Sequence, residues 1–247
     1  MIVSRHQFGY LSFFAILALS SCETIYYVPT NQNVLKFKEK GDAHLAIGVD
    51  ENFKYSTVGY AITKNVAILS EFKSISDNGS STELHRNRTF LWDNELIVYK
   101  KYPNYFIPAV NFGYGYGQIN RNSQDYKLDV SRQFIQPSIG FSNDYFDFAL
   151  STRFSRVNYQ LLQLKEPPIG SNRTFEEYHS LKDVGKKDFY FLEPAITIGV
   201  GYKFIKLRFQ KIAVHKLSSS DLKYESSSAT LTLNLTFNVK RIRKPKN

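Results

Sequence analysis

Thr230-Leu231-Thr232-Leu233-Asn234-Leu235-Thr236-Phe237-Asn238-Val239 alternates polar and apolar residues without a break. Side chains that switch sides at every residue mark a β-strand. Leu231, Leu233, Leu235, Phe237 and Val239 share one face, and Thr230, Thr232, Asn234, Thr236 and Asn238 the other. Three further stretches repeat the pattern. Phe146, Phe148, Leu150 and Phe154 oppose Asp147, Ala149, Ser151, Arg153 and Ser155. Tyr190, Leu192, Ile196, Ile198 and Val200 oppose Glu193, Ala195, Thr197 and Gly199. Phe106, Val110, Phe112, Tyr114 and Tyr116 oppose Asn111, Gly113, Gly115 and Gly117. From Asp42 onward a period of two predicts ten strands, near 43–50, 54–62, 66–75, 89–100, 105–117, 130–142, 145–156, 189–200, 202–213 and 228–240.

A soluble ligand-binding barrel keeps its bulky apolar residues inside, whereas a membrane barrel turns them to lipid around a polar lumen. Here the non-apolar face mixes Gly, Ala, Ser and Thr with Asp147, Arg153, Glu193, Lys206 and Arg208. Small residues mixed with both signs of charge suit a cramped interior better than a solvated surface. The links agree. Those at 63–65, 101–104, 143–144 and 201 are short, and those at 76–88, 118–129, 157–188 and 214–227 are long. Short and long links in alternation are the mark of an up-and-down barrel with short periplasmic turns and long outer loops. The link near Glu51-Asn52-Phe53 is short where a long one is expected, and Pro108, Pro137 and Pro194 interrupt strands, marking either bulges or incomplete closure.

Upstream, Arg5 and His6 precede the apolar run 8–19, which is too short for a spanning helix. Leu19-Ser20-Ser21-Cys22 then places the sole cysteine where a lipoprotein signal requires it, with Cys22 receiving diacylglycerol and an N-acyl chain such as palmitate. The predicted division is a signal peptide over 1–21, a lipid-anchored tether over 22–41, a barrel over 42–240 and a basic tail over 241–247. An even strand count with a lipid in the inner leaflet puts both termini in the periplasm. One cysteine leaves no disulfide and no cysteine metal site.

The net charge of +10 is compatible with nucleic acid, but an exported chain rarely meets it. Lys240, Arg241, Arg243 and Lys244 make the one dense basic run, suited to anionic headgroups or cell-wall polymer. Aromatic residues reach 15 %, with 20 Phe and 17 Tyr, as strands with one lipid face require.

Several strings resemble a family of uncharacterised Bacteroidota outer-membrane lipoprotein β-barrels. They are Cys22 followed by Tyr27-Val28-Pro29, the stretch Phe37 to Gly41, Gly113-Tyr114-Gly115-Tyr116-Gly117, Phe134-Ile135-Gln136-Pro137 and Phe191-Leu192-Glu193-Pro194-Ala195. The resemblance implies an envelope location and a β fold, and no activity.

No chemistry-bearing motif stands out. His44, His85, His179 and His215 show no metal-ligand spacing, and the glycines of 113–117 lack the following helix of a phosphate loop. His179-Ser180, and His215 with Ser218-Ser219-Ser220, are the only hydrolase candidates, for a lipid A acyl hydrolase or transferase at the rim. No cofactor is expected beyond the lipid on Cys22. The inward charges Glu71, Glu95, Asp147, Arg153, Glu193, Lys206 and Arg208 either line a pore or pair into a plug. The plug is favoured, with at least one arginine–carboxylate contact among Asp147, Arg153, Glu193 and Arg208, because ten strands leave little interior space. The expected role is structural or in surface interaction. The alternatives are a narrow pore for small solutes, a lipid-modifying rim enzyme and a periplasmic lipoprotein with a soluble ligand-binding barrel.

Overall fold

The computed structural model describes residues 27–34, 37–50, 53–77, 87–103, 105–121, 126–164, 184–185, 187–219, 222 and 224–239. The strands are β1 (Asp42–Val49), β2 (Lys54–Ala61), β3 (Val66–Asp77), β4 (Asn87–Tyr99), β5 (Phe106–Arg121), β6 (Tyr126–Ser142), β7 (Phe146–Leu164), β8 (Asp188–Tyr202), β9 (Ile205–Ala213), the two-residue β10 (His215–Lys216) and β11 (Ser227–Asn238). From β1 to β9 each strand pairs antiparallel with the next, β10 pairs with β8, and β11 pairs with both β9 and β1, so ten strands close into an outer-membrane-type barrel.

The opening stretch is β11, and its faces are sorted as alternation demands. Leu231 and Leu233 are exposed on the outer wall, and Thr230, Thr232 and Asn234 are buried inside. The apolar-inside arrangement of a soluble barrel is therefore overturned where the strands carry these faces. Tyr102, Tyr105, Tyr145, Tyr202 and Phe204 ring the rim that carries the short turns. Trp92, Tyr114, Tyr116 and Tyr190 form a second exposed aromatic band further along the strands. Two such girdles flank the apolar band of a membrane barrel. Between them the outward apolar run on β7 extends from Phe146 to Phe154, close to the about 9–11 residues a tilted strand needs to cross.

β5, β6, β7 and β8 continue past the upper girdle, and there the polarity inverts. Outward positions become Gln118, Asp129, Arg156, Asn158 and Asp188, joined by hydrogen bonds such as Gln118 Nε2 to Asp129 Oδ1 at 2.8 Å and Arg156 Nη2 to Asp188 Oδ2 at 2.6 Å. Inward positions become Ile119, Leu128, Val130, Val157, Tyr159, Phe189 and Phe191, all buried in one cluster. This upper part, the crown, is built like a soluble barrel on top of a membrane one. It shortens the expected long links 118–129 and 157–188, much of which is strand. The link 50–53 lies on the same rim and buries Phe53 under the Lys73 ammonium, 3.7 Å from the ring centre.

The prolines leave the barrel closed. Pro108 lies just beyond the last β4–β5 pair, Tyr99 with Ala109, beside a short turn. At Pro137 the β6–β7 ladder skips from Ile135–Phe154 to Ser138–Ser151. At Pro194 the partner of β8 changes from β9, which ends its pairing at Ala195–Ile212, to β10, which starts at Leu192–His215. Each residue that lacks an N–H sits where a ladder ends or is interrupted.

Candidate functional site

Residues 27–34 and 37, read from the sequence as part of the lipid-anchored tether over 22–41, are inside the lumen. Tyr27, Thr30, Asn31, Gln32, Asn33, Val34 and Phe37 are all buried there. Pro29, Asn31, Gln32 and Asn33 suit an extended chain without regular structure. In the lumen their amides and carbonyls find partners on the wall instead of in water.

The wall grips this segment almost residue by residue. Lys73 Nζ donates to the Pro29 carbonyl at 2.7 Å. The Thr30 hydroxyl lies 2.7 Å from Arg153 Nη1, 2.6 Å from Arg132 Nη2 and 3.1 Å from Asp93 Oδ2. Arg153 Nη2 donates to the Asn31 carbonyl at 2.9 Å. The Gln32 main chain and the Gln210 amide bond both ways, with Gln32 N–H to Oε1 at 2.7 Å and Nε2 to the Gln32 carbonyl at 2.9 Å. Asn33 Nδ2 donates to Glu95 at 2.7 Å and to Glu71 at 3.3 Å, and its carbonyl accepts from Asn111 at 2.9 Å. A buried backbone polar group without a partner costs about 1–3 kcal/mol, so this ring of polar side chains is what lets an irregular segment sit in a closed interior.

All seven charges predicted for the lumen are buried in it, and they fall into two groups. Glu71, Glu95, Arg153 and Glu193 engage the threaded segment, Glu193 accepting from the Tyr27 hydroxyl at 2.5 Å and from Ser155 at 2.7 Å. Arg153 lies opposite Glu193 on β7 and β8 with 4.0 Å between Nη1 and Oε2, and its guanidinium covers the Phe134 ring at 4.3 Å. Asp147, Lys206 and Arg208 form a second cluster near the short-turn rim, with Lys206 at 2.5 Å and Arg208 at 2.7 Å from the carboxylate, and Arg208 Nη1 also donates to the Val34 carbonyl of the segment at 3.3 Å. Asp147 on β7 and Arg208 on β9 both pair with Gly199 on β8. A Cβ there would lie 2.8 Å from Arg208 Cγ and 3.1 Å from Asp147 Cβ, so glycine is what allows the pair to meet across an intervening strand.

Lys73, Asp93, Asn111, Arg132, Gln136 and Gln210 belong to the same ring and were not picked out from sequence. The signal was parity. Lys73 shares its face with Glu71, Asp93 with Glu95, and Arg132 with Gln136. Arg132 pairs with Asp93, and Gln136 Oε1 accepts from Arg153 at 2.8 Å.

Apolar layers close both ends. Above, Tyr27 stacks on Phe191 with ring centres 3.9 Å apart, within the crown cluster. Below, Val34 and Phe37 pack with Ala61, Leu69, Ile97, Tyr99 and Ile107. The cavity left beside Tyr27, Phe53, Arg132 and Tyr159 is about 30 Å³, room for about one water. A concavity of about 980 Å³ lies mainly among outward residues such as Val58, Leu96, Phe112 and Phe154, on the outer side of the wall. Below Phe37 the lumen opens into a polar vestibule of about 610 Å³ lined by Lys38, Glu39, Asp42, Lys101 and Lys206. Burial, with Lys206 near, lowers the Lys38 ammonium from its ordinary range.

The segment turns into the wall at 38–42. Asp42 Oδ2 accepts from the Lys38 N–H at 2.9 Å and the Glu39 N–H at 3.0 Å. Gly41 holds φ at 87°, a left-handed value that suits glycine, and its N–H reaches the Ala61 carbonyl at 2.9 Å. The segment therefore runs from the crown, at Tyr27, to the short-turn rim, at Gly41. Val239 lies on that same lower rim, its N–H 3.0 Å from the Gly41 carbonyl. The even strand count thus returns both barrel ends, Asp42 and Asn238, to the lower rim, while the threaded segment carries the first described residue, Tyr27, up to the crown.

Among the described residues no cluster of His, Cys, Asp and Glu could hold a metal. His44 is buried on the lumen face with Nδ1 2.9 Å from the Thr236 hydroxyl. His215 is exposed, and the Ser218 hydroxyl has no hydrogen-bond partner among the described residues. Cys22, His85, His179, Ser180, Ser220, Lys240, Arg241, Arg243 and Lys244 lie outside the described residues.

No protein family and no curated protein matches the sequence. Among solved structures, the outer membrane protease OmpT of Escherichia coli is similar over 80 % of this chain and 94 % of its own, at 9 % identity and a TM-score of 0.35. A likeness at that level carries no argument about activity.

Proposed function

We propose that the protein is a lipid-anchored outer-membrane barrel whose lumen is filled by its own N-terminal segment, with a structural or surface-interaction role exerted through the crown and the long links. The observation that carries this is the grip on residues 29–34 by side chains of β3 to β9. An interior committed to holding its own chain leaves no solute path, and the cavity beside Tyr27 is about one water in size. The plug is thus a peptide with wall charges around it, rather than ion pairs alone. Lipidation rests on Leu19-Ser20-Ser21-Cys22, and mass spectrometry of the mature N-terminus reads it directly. Lys240, Arg241, Arg243 and Lys244 follow Val239 at the short-turn rim, where anionic headgroups or cell-wall polymer are within reach.

Planar bilayers test the closed lumen. The full chain should insert without stepwise ion conductance. A variant with Thr30, Asn31, Gln32 and Asn33 all changed to Gly removes the side-chain half of the grip and should show intermittent openings. Steady conductance by the unaltered protein would sink this reading and promote the pore.

A further inference from the structure

The direction of the threaded segment carries a consequence for the anchor. Tyr27 lies at the base of the crown, level with the upper aromatic girdle beside Tyr116, in the apolar cluster with Val157, Tyr159, Phe189 and Phe191. It forms a parallel bridge with Tyr224 in the long link after β10, and the Glu225 N–H donates to the Tyr27 carbonyl at 2.9 Å. From there the chain descends through the lumen to Phe37 and enters the wall at Gly41 on the short-turn rim. In an outer-membrane barrel the short turns face the periplasm and the long links face out.

Five peptide units separate Cys22 from Tyr27. Fully extended they reach roughly 18 Å at about 3.6 Å per residue. The apolar band is about 25 Å tall, and Tyr27 sits at its top, level with the upper girdle. The lumen is already occupied, and a route over the rim and down the outer wall is longer still. The chain before Tyr27 cannot bring Cys22 back to the periplasmic rim. We infer that the N-terminal segment leaves the barrel on the external side, so that the acyl chains expected on Cys22 enter the external leaflet of the outer membrane beside the crown. This rests on the occupied lumen proposed above and on the lipoprotein signal. It inverts the periplasmic placement that an ordinary tether implies, and makes the chain a surface lipoprotein threaded through its own barrel.

Three measurements on the full chain separate the parts. An epitope inserted between Glu23 and Thr24 should stain equally on intact and permeabilised cells, whereas one appended after Asn247 should stain only after permeabilisation. Val34→Cys in detergent-solubilised folded protein should resist maleimide until the protein is unfolded, since acylated Cys22 offers no free thiol. Metabolic palmitate label should be present in the parent and lost in Cys22→Ser. An N-terminal epitope hidden on intact cells while the Val34→Cys thiol stays protected overturns the external exit and leaves the occupied lumen standing. A thiol that reacts at once in the folded protein removes both. An exposed epitope on a parent chain without palmitate keeps the external exit and overturns the leaflet anchor.

Discussion

Between Phe146 and Phe154, β7 turns Phe146, Phe148, Leu150 and Phe154 outward and Asp147, Ser151 and Arg153 inward. Between Arg156 and Gln160 the same strand turns Arg156, Asn158 and Gln160 outward and Val157 and Tyr159 inward. From Phe146 to Gln160 the alternation does not slip, and only the chemistry assigned to each parity changes. Below the girdle the outer solvent is hydrocarbon, so apolar side chains belong outside and charges must share the lumen. Above it the outer solvent is water, and an ordinary apolar core returns. The soluble and the membrane barrel, rivals when read from the sequence, are two storeys of one wall. The threaded segment obeys the same division, with Tyr27 in the apolar storey and Thr30 to Asn33 in the polar one.

Position 153 and position 157 share a face of β7, two repeats of the alternation apart, and they offer the harshest test. Arg153 is satisfied by Thr30, Asn31 and Gln136 and faces Glu193. Val157 is fully buried among apolar side chains. Arg153→Ala should strand Glu193 and free the segment's carbonyls, at about 3–5 kcal/mol, the cost of breaking a buried pair. Val157→Arg should cost at least as much, because a guanidinium there meets no carboxylate. Chemical unfolding in detergent micelles reads both. Tolerance of arginine at 157 would mean that the crown interior is wet, and the two-storey description would fail.

The belt was legible because lipid enforces a strict rule, apolar at every second position. Ten strands and their register parity followed from that rule alone, and Leu233 or Ile198 could be placed outside without a structure. The crown escaped for the same reason. Once Gln118, Asp129, Arg156 and Asn158 appeared at outward positions, the lipid criterion ended the strands, although β5 runs on to Arg121 and β7 to Leu164. The inward series Val157, Tyr159 and Phe189, Phe191 held the missing signal, an apolar run on the opposite parity. The threaded segment was the least legible. Asn31-Gln32-Asn33 has the composition of a solvated linker, and nothing local says that its solvent will be Gln210, Asn111 and Glu95, contributed by strands many residues away. Only the surplus of inward polar groups hinted that something polar must fill the lumen.

Outward positions sharpen the boundary at lower cost. Leu150 and Asn158 are both exposed on the outer face of β7, one in the belt and one in the crown. Arginine at Leu150 should cost about 2–4 kcal/mol near the bilayer midplane. Arginine at Asn158 should stay within about 0.5 kcal/mol, as surface changes usually do. Refolding into lipid vesicles followed by denaturant titration measures both. Equal penalties would place Asn158 in the membrane and move the girdle upward.

The smallest effect is expected where the crown meets water. Arg156 and Asp188 form a close pair at 2.6 Å on the outer face, with the arginine side chain 53 % exposed. Inside the belt a pair of that geometry, such as Arg208 with Asp147, is shielded from solvent and ions. Outside the crown it is hydrated and screened, so its attraction is spread over a high-dielectric medium. A double-mutant cycle with Arg156→Ala and Asp188→Ala should give a coupling of about 0.2–1 kcal/mol that shrinks as salt rises. The corresponding cycle on Arg208 and Asp147 should give a larger coupling, indifferent to salt. A salt-insensitive Arg156–Asp188 coupling as large as the buried one would show that this face is covered in the membrane, either by lipid or by a partner seated on the crown.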